Sequence, residues 1–88
     1  MRIDRLLVYL RLVRTRSRAR ALIEQGHARI NGLHVRAISE EVQAGDVLTL
    51  PVGEVVRVIE VLDIPERRGP PGFARSHYRE LDREVKDK

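Results

Sequence analysis

Up to Gly26 the apolar residues recur at helical spacing, and beyond it they alternate. Such a chain has to fold as helices followed by a sheet, because a stripe spaced three and four residues apart cannot face one side of a strand. Ile3, Leu6, Leu7, Leu10 and Val13 share one face of a first helix predicted over residues 3–13, while Val8 and Leu12 form a smaller strip beside Arg5. A second helix is expected to begin at Thr15 or Ser17, either of which can cap it, and to stop at Gly26, with Ala19, Leu22 and Ile23 facing the core. After Gly26, His27–Ile30 and Leu33–Arg36 flank Asn31-Gly32, a pair suited to a two-residue type I′ hairpin because both positions tolerate positive φ. Ala44-Gly45-Asp46 reads as a turn into a strand at Val47–Leu50, and Gly53-Glu54 leads into a β-branched strand over Val55–Leu62.

Residues 65–72 contain three prolines and two glycines and are expected to be a connector. Phe73, Ala74, His77, Tyr78, Leu81 and Val85 then recur at helical spacing, which predicts a C-terminal helix within residues 73–88 that covers Val8 and Leu12. The expected fold class is α+β: two N-terminal helices on a small, mostly antiparallel sheet formed within residues 1–64, plus this C-terminal helix. A chain of 88 residues is one small domain with little room for an enclosed catalytic cavity. It contains no cysteine, so disulfides and thiolate metal sites are ruled out. No segment has the length and apolarity of a membrane span, and Arg2, Asp4 and Arg5 make the first ten residues unlike a signal peptide. These features lead to the expectation of a cytoplasmic protein without membrane contact.

Charge is divided unevenly. Residues 1–36 hold nine arginines against Asp4 and Glu24, a net +7, whereas residues 37–88 sum to −3. The excess gathers at Arg14-Thr15-Arg16-Ser17-Arg18-Ala19-Arg20, where the second helix begins and its unpaired N–H groups already favour an anion. Guanidinium forks at that point suit phosphate. Arg14, Arg16, Arg18 and Arg20 are therefore the leading candidates for nucleic-acid contact, with Arg5, Arg29 and Arg36 widening the patch. Ser17 can donate to phosphate or cap the helix; Gln25 can reach RNA or remain a surface amide; His27 can bond RNA or sit half-buried. Reversal of Arg16 and Arg18 to Glu is expected to remove RNA binding and spare the fold.

The three histidines have no metal-site spacing, and no cofactor is expected. Aromatic residues are confined to Tyr9, Phe73 and Tyr78, so phosphate and shape reading is favoured over stacking on a sheet. No nucleophile and base are arranged together and no phosphate-binding glycine loop is present, so an enzyme is not expected. A helix-turn-helix DNA reader would follow its two helices with a recognition helix, where this chain has a hairpin signal.

In order and spacing, Arg2-Ile3-Asp4-Arg5-Leu6-Leu7, Arg14 to Ala19, Gln25 to Gly32 and Ala44-Gly45-Asp46-Val47-Leu48 resemble the S4 RNA-binding domain family over roughly residues 1–50. The resemblance implies the compact helix, helix, sheet arrangement called the alpha-L motif, and binding of structured RNA. Glu66-Arg67-Arg68-Gly69-Pro70 is similar to the small stand-alone heat-shock members of the family. That likeness implies ribosomal RNA of the large subunit and peptidyl-tRNA as partners in rescue of stalled nascent chains; the free protein is expected to be a monomer. Small quality-control members, which support nascent-chain tailing, are the alternative within the family; accessory DNA-binding or RNA-modification proteins are the alternative outside this role. The longer basic C-terminal extension of the heat-shock members is not found in these 88 residues.

Overall fold

The structure is a computed structural model that describes residues 1–52, 54–66 and 76–84. Helices α1 (Ile3–Tyr9) and α2 (Arg16–Glu24) precede strands β1 (Arg29–Ile30), β2 (Leu33–His34), β3 (Val47–Val52), β4 (Val55–Val61) and β5 (Tyr78–Glu84). The strands form one antiparallel sheet in the order β2-β1-β3-β4-β5. This is the expected α+β class. Ile3, Leu6, Leu7 and Leu10 meet Ala19 and Ile23 of α2, Leu48 and Leu50 of β3, and Ile59 and Val61 of β4 in one buried cluster. Each fully buried Leu or Ile there contributes about 1.5–3 kcal/mol of transfer free energy.

The first helix is shorter than its apolar pattern suggests. It ends at Tyr9 because Arg11 takes a left-handed φ of 60°. The Arg11 N–H donates to the Val8 carbonyl at 2.9 Å and the Leu12 N–H to the Leu7 carbonyl at 2.9 Å, the paired bonds of a Schellman stop. Leu12 consequently leaves the helix surface and joins the core cluster. Glycine usually occupies such a position, since a Cβ makes the left-handed conformation costly.

The hairpin forms as expected, with Asn31 at φ 52° and Gly32 at φ 85° between the register pairs Ile30↔Leu33 and Arg29↔His34. Asn31 also fastens the hairpin to the sheet. Its Nδ2 donates to Asp46 Oδ1 at 3.1 Å, and its Oδ1 accepts from the Val47 N–H at 2.9 Å. Between β2 and β3 the chain passes the N-terminus, where the Ile3 N–H donates to the Glu40 carbonyl at 2.8 Å and the Val42 N–H to the Met1 carbonyl at 2.9 Å.

The expected C-terminal helix is not formed over residues 78–84, which instead make β5 and pair with β4 from Val61↔Tyr78 to Val56↔Glu84. Without it the outer edge of β4 would carry a row of unpaired backbone groups, and that edge overrides the helical spacing of Tyr78 and Leu81. A register shift at Val58/Ile59 leaves Leu81 as the extra residue of a bulge. Arg57 donates to Glu80 through Nε at 3.1 Å and Nη2 at 2.7 Å, and Arg79 pairs with Glu60 across the strands. Phe73, Ala74, Val85 and most of the expected connector lie outside the described residues.

Arg11→Gly tests the cost of the left-handed stop. Relief of that strain, reduced by the greater freedom of glycine in the unfolded chain, is expected to raise stability by about 0.5–1 kcal/mol. A thermal midpoint equal to or below wild type would contradict it.

Candidate nucleic-acid interface

The second helix is capped by Thr15, whose Oγ1 accepts from the Arg18 N–H at 3.1 Å. Ser17 is thereby left in the first turn beside Arg16 and Arg18. That turn holds no acidic residue of its own. Cations at the positive end of a helix dipole oppose folding by a few tenths of a kcal/mol each, so stability alone does not favour this sequence. An anion bound there removes the conflict.

Helical spacing divides the arginines between the two flanks of the α2 stripe formed by buried Ala19 and Ile23. On one flank, Arg16, Ser17 and Arg20 join Arg2, Asp4 and Ile38 around a concavity of about 280 Å³. On the other, Arg14, Arg18, Gln25 and His27 line a larger concavity of about 1030 Å³, together with Arg11. Arg5, Arg29 and Arg36 are exposed but border neither concavity. The Arg36 N–H is engaged by Glu40 Oε2 at 2.9 Å. Arg20 lies 3.7 Å from Glu24 one turn on, an exposed pair of little energetic weight.

Asp4 is the residue that sequence reasoning overlooked. It is 2% exposed, and its Oδ2 accepts from Arg16 Nη2 at 3.0 Å, while Arg2 Nε stands 3.3 Å from Oδ1. Burial pushes the carboxyl up; the Arg16 hydrogen bond, the charges of Arg2 and Arg16 and the Arg5 N–H outweigh it and hold Asp4 below its ordinary value of 3.8. The pair joins α1 to the first residue of α2, so Arg16 has a structural role besides any contact with a ligand. The signal was available: Asp4 and Glu24 are the only acids in the basic half of the chain. Arg11 was also missed, because a residue expected inside a helix gives no hint of a left-handed stop. His34 was placed on the hairpin, where its Nδ1 meets the Gly26 carbonyl at 3.0 Å, joining β2 to the end of α2.

A family model for the S4 domain matches residues 1–48, more than half of the chain and all of its expected contact residues. The chain belongs to the S4 domain family. It is 37% identical over 75 residues to the small ribosomal subunit protein uS4 of Anaeromyxobacter sp. (strain Fw109-5), a match covering 83% of this chain and 36% of that protein. The chain thus spans about a third of the length of such ribosomal relatives. It is 33% identical over 66 residues to the RQC P-site tRNA stabilizing factor of Bacillus subtilis (strain 168), covering 75% of this chain and 76% of that one. A trimeric structure of Vibrio cholerae heat shock protein 15 superposes with a TM-score of 0.84 and 34% identity, covering 92% of this chain and 81% of that chain. Within this S4 domain, no helix among the described residues is long and apolar enough to cross a membrane.

The Asp4 contacts correct one expectation, that Arg16 and Arg18 can both be reversed without harm. Arg16→Glu sets a second carboxylate against buried Asp4 and is expected to cost about 2–4 kcal/mol, whereas Arg18→Glu is expected to change stability by less than about 0.5 kcal/mol. Equal denaturation midpoints for the two variants would refute the distinction. Asp4→Asn gives an independent check. A carboxyl held below its unfolded value adds stability above that value and loses it as the pH falls through the folded one. The stability gap between wild type and Asp4→Asn is therefore expected to be about 1.5–3 kcal/mol at neutral pH and to narrow below about pH 4. A gap that persists unchanged in urea titrations near pH 2.5 would remove the ion pair from the account.

Proposed function

We propose that the chain is a non-catalytic module that binds structured ribosomal RNA on the large ribosomal subunit, acting in rescue or recycling of stalled nascent chain–tRNA complexes. The observation that carries the reading is the placement of Arg14, Arg16, Arg18 and Arg20 around the start of α2, where they oppose the helix dipole and lack local acids other than Asp4 and Glu24. Phosphates supply the missing charge, and release of their counterions supplies affinity that does not depend on sequence. Membership of the S4 domain family supports RNA as the polyanion. The heat shock protein 15 fold supports the stress-rescue role, and Glu66-Arg67-Arg68-Gly69-Pro70 leans the same way.

A second reading, quality control during nascent-chain tailing, is favoured by the similarity to a factor of comparable length named for stabilizing P-site tRNA. Both readings put the protein on the large subunit in the cytoplasm, as a monomer when free, with peptidyl-tRNA nearby.

Sedimentation of the tagged protein with purified subunits tests the proposal. Wild type is expected to travel with large subunits, preferentially those carrying peptidyl-tRNA, and Arg14→Glu/Arg18→Glu is expected to weaken binding at least tenfold. Affinity should fall with salt at a log–log slope of about −0.7 to −0.9 per phosphate neutralised. Co-sedimentation with small subunits alone, or a flat salt response, would overturn the assignment.

A further inference from the structure

The larger concavity beside α2 has a feature that phosphate binding does not need. Its lining is mixed: Leu12 from the α1 stop, Val13 after it, Leu22 of α2 and Pro51 of β3 stand among the polar side chains. Arg11, Arg14 and Arg18 stand around the same space, with Gln25 and His27 at the far end of α2. A surface made to grip only the backbone of a duplex needs charge at phosphate spacing; it gains nothing from apolar side chains set in a hollow, because paired bases are stacked inside the helix. At about 1030 Å³ the hollow lies at the upper end of clefts that accept small organic ligands, roughly 300–1,000 Å³.

We propose that this concavity receives a single unpaired nucleotide, extruded from a bulge or loop of the bound RNA. This inference rests on the RNA-binding reading and deepens it. The base lies against Leu12, Val13, Leu22 and Pro51 and loses water contact there. Guanidinium planes of the surrounding arginines can stack on its face, so the scarcity of aromatic residues does not prevent base recognition. The Gln25 amide offers a donor and an acceptor to a base edge, and His27 offers a ring nitrogen. Arg11, Arg14 and Arg18 hold the phosphates on either side of the extruded sugar. The arrangement also gives the costly left-handed backbone of Arg11 a use, since it sets a side chain at the rim from the α1 side.

Ala21 supplies the test. It is exposed on α2 and lines the concavity, so Ala21→Leu fills the hollow without altering charge or disfavouring the helix. Affinities are measured for an RNA hairpin with one bulged 2-aminopurine and for the same hairpin fully paired. Wild type is expected to bind the bulged hairpin about tenfold more tightly and to change the 2-aminopurine fluorescence on binding. Ala21→Leu is expected to bring the two affinities together, leaving that of the paired hairpin and its salt slope as in wild type. A wild-type ratio near one, or a preference that survives Ala21→Leu, overturns the nucleotide site while RNA binding stands. Failure to bind either hairpin overturns the RNA reading and this inference with it.

Discussion

The buried Asp4 carboxylate ties the two helices that carry the basic surface, α1 and α2, to each other. Neither α1, with seven residues, nor α2, with nine, has enough hydrogen bonds to persist alone. Burial of Ile3, Leu6, Leu7, Ala19 and Ile23 brings the helices together, but apolar packing tolerates some rotation about a helix axis. The buried carboxylate bonded to Arg16 adds a polar tie between α1 and the first turn of α2, while burial of Ala19 and Ile23 selects the face of α2 that turns inward. The cost is visible in the same place: Asp4 Oδ1 and Arg2 Nε are buried without a hydrogen bond, close enough for attraction but poorly aligned.

Parts of the fold governed by local chemistry were legible in the sequence. Gly26 and Asn31-Gly32 have positive φ in the structure, and each announces itself because few other residues accept it. Arg11 adopts the same kind of conformation without the residue type that advertises it, which is why α1 was read four residues too long. The C-terminal segment failed for a different reason. Tyr78 to Glu84 combines good helix formers with helical spacing, and its strand state comes from the unpaired edge of β4, a partner that propensity does not see. Once the register is known, Arg57 with Glu80 and Glu60 with Arg79 read as cross-strand charge pairs, whereas helical spacing alone matches Glu80 with Arg83.

The candidate site shows the same division. Helical spacing alone placed Arg16 and Arg20 on one flank of α2 and Arg18 on the other. It could not show that Arg16 points at a carboxylate on another helix, nor that the opposite flank faces Leu12 and Pro51 from remote parts of the chain. Those are tertiary facts. They give one arginine group a share in the architecture and the other an open hollow of mixed lining.

The uneven charge of the chain takes on physical meaning from this arrangement. Between β4 and β5, Arg57 with Glu80 and Arg79 with Glu60 neutralise one another at short range, so these four charges project little field. The first 36 residues set nine arginines against two acids, Asp4 and Glu24, which pair with Arg2, Arg16 and Arg20. Unfavourable features also concentrate there: a left-handed arginine and cations at the positive end of a helix. Selection for stability alone would remove both by single substitutions. Their coincidence around one surface supports the proposed binding site, held at some expense to stability, and the sheet supplies the packing that lets the domain carry it.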